Sequence, residues 1–201
     1  MKKQLALIFL SFCFVAACKK EKHYADEMAV RFFSGYGMGS YWIYETYSGQ
    51  LDSTWVEYVG HGFLRSGYSN AGVKHIDECE YHQTNLASFP PDHNRVLKVE
   101  TNTSAGGGPW TTGGVIDGDP PSGVFYYGCF NNGAIFNDGA GCESRELLNY
   151  QVNQYNFPIA VKMVYPPDTS YYVIVAPGVG IVEGRTHSWE QFKLKWYHIN
   201  P

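Results

Sequence analysis

Short runs rich in Tyr, Trp, Phe, Val and Ile, each closed by Gly, Pro or Asn, recur from residue 41 almost to the C-terminus. Inside them the apolar residues tend to alternate with polar ones, the period of a strand with one dry face. Phe192, Leu194 and Trp196 fall on one side of such a run and Lys193 and Lys195 on the other. Ile159, Val161 and Met163 oppose Lys162 in the same way. Residues 171–176 are apolar throughout, which predicts a central strand covered on both faces. Strands are expected at 41–47, 52–59, 72–82, 94–101, 123–130, 146–153, 158–165, 171–176 and 188–199, with a turn at Ser48–Gly49 and a tight hairpin at Asn131–Gly133. Residues 25–33 fit either a short helix or a strand entry, and no helix of ordinary length is required. Residues 101–121, rich in Gly, Pro and Thr, predict a long exposed loop. The fold class is therefore all-β, an antiparallel curved sheet closed as a half-barrel or sandwich. Composition agrees: 44% hydrophobic and 17% charged residues exclude a disordered chain, and 16 Tyr, 12 Phe and 22 Gly suit a sheet protein.

The N-terminus carries a separate signal. Lys2 and Lys3 precede an apolar run over residues 5–17 that is too short to cross a bilayer, which needs about 20 residues. Its flanks predict a secretory signal peptide. The run ends in Val15, Ala16, Ala17 and Cys18, which resembles the lipobox of bacterial lipoproteins. That resemblance implies cleavage after residue 17 and acylation of Cys18, by palmitate or a similar chain. Lys19, where an inner-membrane protein would carry Asp, implies sorting to the outer membrane, on either its periplasmic or its surface face. Residues 18–38 then read as acylated Cys and tether, and residues 39–201 as a single β domain. Loss of Lys2 and Lys3 takes the net charge from −4 to −6, and such an acidic body offers no basic footprint for nucleic acid.

Gly39, Tyr41, Trp42 and Tyr44, together with the segment Ala176, Pro177, Gly178, Val179 and Gly180, resemble a group of uncharacterised bacterial envelope lipoproteins. That group is similar to the half-barrels of Lol-type lipoprotein carriers. The resemblance implies architecture and location, and no catalytic residue. Physically, Trp42 and Tyr44 bring large areas to a core with polar tips, and Gly180 permits a close backbone approach.

With Cys13 in the leader and Cys18 acylated, Cys79, Cys129 and Cys142 remain. A Cys129–Cys142 bridge would close a loop of about 14 residues, worth roughly 3 kcal/mol, while Cys79 reads as a small buried hydrophobe. No nucleophile elbow, zincin, phosphate-loop or dinucleotide signature is present, so no catalytic residue and no cofactor are expected. Glu78, Glu80 and His82 would share one face of a strand and offer a divalent cation a ligand set, against the plainer reading of a solvated face. Asp117 and Asp119 read as a turn rather than a calcium loop. Trp110, Tyr126 and Tyr127 read as loop aromatics able to stack on a sugar or an apolar ligand. The function expected is that of a non-catalytic binding or assembly module held at the membrane by lipid, with a glycan, an apolar ligand or an envelope protein as partner. The alternatives are a carrier of apolar cargo in a β-cavity and a hydrolase of envelope polymers or glycans.

Overall fold

A computed structural model describes residues 18–70, 73–89, 95–102, 110–117, 124–131, 134–136, 144–165, 168–186 and 190–201. The protein is all-β. Twelve strands form one antiparallel sheet, nearly closed and barrel-shaped, in the order β8-β7-β6-β5-β4-β3-β2-β13-β12-β11-β10-β9. They are β2 (Tyr41–Thr46), β3 (Leu51–Asn70), β4 (Val73–Phe89), β5 (Arg95–Asn102), β6 (Trp110–Asp117), β7 (Val124–Asn131), β8 (Ala134–Phe136), β9 (Ser144–Val152), β10 (Tyr155–Tyr165), β11 (Asp168–Ala176), β12 (Gly180–Arg185) and β13 (Phe192–His198). Strand β1 (Cys18–His23) joins β4 in parallel, and α1 (Glu27–Phe33) is the single helix among the described residues. The two ends of the sheet approach each other: the Tyr126 ring on β7 lies 6.3 Å from that of Tyr165 on β10.

Residues 18–38 contain two regular elements, β1 and α1. Asp26 caps α1 by accepting a hydrogen bond from Met28 N–H at 2.9 Å, as an N-terminal Asp should. The face bearing Ala29, Phe32 and Phe33 is buried inside the curved sheet. Seven residues are too few for a helix to hold itself together, so tertiary packing fixes this one. Phe33 meets Phe130 of β7 edge-on at 5.9 Å, and Gly178 N–H bonds Arg31 O at 2.7 Å. The helix also explains β6. Residues 101–121 are not one exposed loop, because residues 110–117 form a strand whose Thr111, Gly113, Gly114 and Val115 are buried. Phe33 packs so closely over Gly113 that a Cβ there would lie 2.5 Å from the ring.

The two segments singled out by resemblance touch each other. Trp42 Nε1–H donates to Val179 O at 2.6 Å, and the Tyr44 hydroxyl donates to Ile181 O at 3.0 Å. Gly180 between them holds φ +88, and its Cα faces the rings of Tyr36 and Trp42. Alternation along β13 holds for Phe192 and Leu194 but not for Trp196, which is exposed because a bulge after Leu194 shifts the register. One charged pair sits in the core. Arg95 of β5 is 1% exposed, with its guanidinium 5.0 Å from the Phe192 centroid and 5.9 Å from that of Tyr44. Burial pushes the nearby Asp52 carboxyl up to about 6, against the pull of Arg95 and of the Thr54 hydroxyl that donates to it.

Candidate functional site

The longest strands set the site apart. Strands β3 and β4 pair from Ser53–Phe89 out to Asn70–Val73. Strand β2 accompanies β3 only as far as Trp55, and β5 accompanies β4 only over residues 81–86. The outer part of this hairpin therefore projects past the barrel, with only β1 alongside it among the described residues. Gly60, Gly62 and Gly67 interrupt the hydrophobic pattern here, which is why the sequence suggests shorter strands.

Strand β1 runs beside β4 from Cys18, opposite Lys74, to His23, opposite Cys79. Pairing places Lys20 and Lys22 on the face that carries Glu78. Glu78 is surrounded by cations: Lys20 Nζ lies at 2.9 Å, Arg65 Nε at 2.8 Å and Lys22 Nζ at 3.9 Å. The Lys20 hydrogen bond, with the Arg65 bond and both charges, holds its carboxyl below the usual range in spite of burial. Past His23 the chain turns into the barrel. Ala25 N–H bonds Glu80 Oε2 at 2.8 Å, and Asp26 N–H bonds the Thr111 hydroxyl at 2.8 Å.

Two residues on from Glu78, the same face assembles a different cluster. His61 of β3 pairs directly with His82 of β4, and their rings stack at 4.3 Å. Glu80 Oε1 lies 2.7 Å from His61 Nε2 and 3.3 Å from His82 Nε2. Burial works to raise the Glu80 carboxyl, but the Ala25 N–H, the His61 bond and the two imidazoles outweigh it and keep it low. Burial, and then the nearness of His61, hold His82 below the usual imidazole range against the pull of Glu80. On the opposite face, Glu21, His23 and Asp77 form a second group, with His23 Nε2 3.4 Å from Asp77 Oδ1.

Of the residues expected from sequence, the structure brings Glu80 and His82 together and assigns Glu78 to the lysines and arginine instead. It adds His61, 19 residues upstream of Glu80, whose part depends on cross-strand register and has no local signal. Tyr126 is fully buried and is not a loop aromatic. The side chains of Trp110 and Tyr127 lie outside the described residues, as do Cys142 and Asp119. Cys129 is disulfide-bonded and Cys79 is a buried thiol outside that bridge.

Glu183 on β12 accepts hydrogen bonds from the hydroxyls of Tyr150 at 2.6 Å and Tyr172 at 2.8 Å. A hollow of about 410 Å³ is lined by Glu45, Thr46, Tyr47, Gly49, Asn153, Gln191 and Lys193. Among the described residues no helix is long and apolar enough to cross a membrane. No protein-family model, curated protein or solved structure matches this chain.

Proposed function

We propose that this protein is a lipid-anchored component of a bacterial envelope, acylated at Cys18, and that it acts as a non-catalytic binding or assembly module. The observation that carries the reading is the position of Cys18. It opens β1 opposite Lys74, one pair from the last described pair of the projecting hairpin. Acyl chains there would leave from the end of the hairpin remote from the barrel. The seven steps along the strand from Lys74 to Tyr81, where β5 begins to pair, span roughly 23 Å at about 3.3 Å each. The hairpin is then a stalk that holds the barrel clear of the headgroups. Lys20, Lys22 and Arg65 lie along it. Two or more acyl chains are enough for stable anchoring.

A binding or assembly role is favoured over cargo carriage by the filled interior. Ala29, Phe32 and Phe33 of α1, with Phe130, Tyr36 and Trp42, occupy the concave side of the sheet and are all 1% exposed or less. Among the described residues, Asp52 in the barrel core faces Arg95 rather than a second carboxylate, so no acid and base pair there supports envelope-polymer hydrolysis. The reading is tested by fractionation. The parent chain should sediment with membranes and Cys18→Ser should move to the soluble fraction. Retention of the variant on membranes, or an unmodified Cys18 thiol in the mass spectrum of the native protein, would refute it.

A further inference from the structure

We propose that His61, Glu80 and His82 form a binding site for a divalent transition ion of the Zn²⁺ class. Their three ligand atoms lie within 4.8 Å of one another. Around a tetrahedral zinc with bonds of about 2.0–2.1 Å, neighbouring ligand atoms stand about 3.3 Å apart. The His82 Nε2 to Glu80 Oε1 distance is already 3.3 Å, and His61 Nε2 at 2.7 Å needs only a small opening.

Three further observations select a metal over a plain polar cluster. His82 Nε2 is sealed from solvent, and its 3.3 Å approach to Glu80 Oε1 is not aligned as a good hydrogen bond, which leaves a buried ring nitrogen poorly satisfied. An ion at the edge where the two Nε2 atoms and Glu80 Oε1 converge gives that lone pair a better partner. Glu80 is also oriented from behind, because Ala25 N–H holds Oε2 and leaves Oε1 turned to both imidazoles. Supporting bonds of this kind fix ligands in metal sites. Finally, the nearby cations are spent on Glu78, so none is hydrogen-bonded to the Glu80 carboxylate in competition with an ion. Two imidazoles and one carboxylate suit Zn²⁺ and its neighbours rather than Ca²⁺ or Mg²⁺, which prefer oxygen. The Glu21, His23 and Asp77 group has a single imidazole and serves as the internal control. Three protein ligands leave a fourth position, which opens where the His61 side chain is 53% exposed and takes water or a donor from a partner.

The test is titration of the full chain, stripped with a chelator, by ZnCl₂ in a calorimeter and by CoCl₂ with visible absorption. The expected result is one ion per chain, with Co²⁺ ligand-field bands and a melting temperature that rises with zinc and falls again with EDTA. His61→Ala and His82→Ala should each weaken binding by about tenfold or more, and His23→Ala should leave it unchanged. If His82→Ala disturbs the apo fold, His61→Ala, at a half-exposed position, decides alone. Absence of stoichiometric binding, parent affinity in His61→Ala, or loss in His23→Ala instead would overturn the assignment.

Discussion

Phe33→Ala should remove about 3–5 kcal/mol from the stability of this domain, the usual cost of emptying a buried aromatic site. For a fold of ordinary stability, about 5–15 kcal/mol in all, that loss is a large share. Phe33 has no exposed surface and sits edge-on against Phe130, at the end of the only described helix. Its ring lies on Gly113, where a Cβ would stand 2.5 Å from Cδ2 and 2.6 Å from Cε2. Gly113 faces Gly128 of β7 across the ladder, and a Cβ at Gly113 would press on Phe33 while one at Gly128 would press on Phe130. Gly113→Ala should therefore cost about 1–3 kcal/mol by overpacking. The two sites are in contact, so their effects should not add. Joining Gly113→Ala to Phe33→Leu should cost less than the sum of the two single changes, read as midpoints in urea denaturation. Strict additivity would mean that α1 is not seated on β6, and a small loss for Phe33→Ala would mean that the helix is not part of the core.

This pair also shows why β6 is hidden in the sequence. Thr111, Thr112, Gly113 and Gly114 lack the large alternating residues that announce a strand. The glycine is required by a phenylalanine 80 positions away, and local pattern holds no trace of that demand. The helix itself is equally quiet, since seven residues carry too little periodicity to separate it from a strand. Where the two faces of a strand differ in wetness, the reading is sound. Phe192, Leu194, Val161 and Met163 are buried, and Lys193 points outward. Trp196 departs because a bulge adds one residue and turns it out. The general class was legible because it rests on many such segments together.

The site was half legible for a related reason. Period two alone puts Glu80 and His82 on one face, and the structure agrees. It cannot supply His61, which meets them only because β3 and β4 pair in one particular register through Gly60 and Gly62. Nor can it separate Glu80 from Glu78, two residues apart on one face. That distinction comes from β1, whose Lys20 and Lys22 reach Glu78, while the chain just beyond it delivers Ala25 N–H to Glu80. Tyr126 misleads for the opposite reason. Its nearness to the Asn131–Gly133 hairpin suggests a loop position, yet it lies within the strand expected at 123–130, which points it inward against Tyr165.

The contribution of Asp52 to stability should fall as the pH rises from about 4 to 6, and Asp52→Asn should remove that component. The Asp52 carboxyl is pushed from its ordinary 3.8 up to about 6, first by burial and in spite of Arg95 and the Thr54 hydroxyl. Below pH 4 it is protonated whether the chain is folded or not. Between 4 and 6 the unfolded chain gives up that proton while the folded one keeps it, so each step in pH favours unfolding. Above about 6 both states are ionised and the loss is complete. At roughly 1.4 kcal/mol per pH unit the gap sets a ceiling of about 3 kcal/mol, and solvent screening brings the expected loss to about 1–2 kcal/mol. Many carboxylates titrate in this window, so the informative quantity is the difference between Asp52→Asn and the parent in urea midpoints. That difference should be smallest near pH 4.5 and should grow in favour of the variant by pH 7.5. The opposite trend, with the variant weaker at pH 7.5 than at 4.5, would mean that attraction to Arg95 outweighs the cost of burying the carboxylate. The pair would then be a clamp across β3 and β5 rather than a strained charge in the barrel.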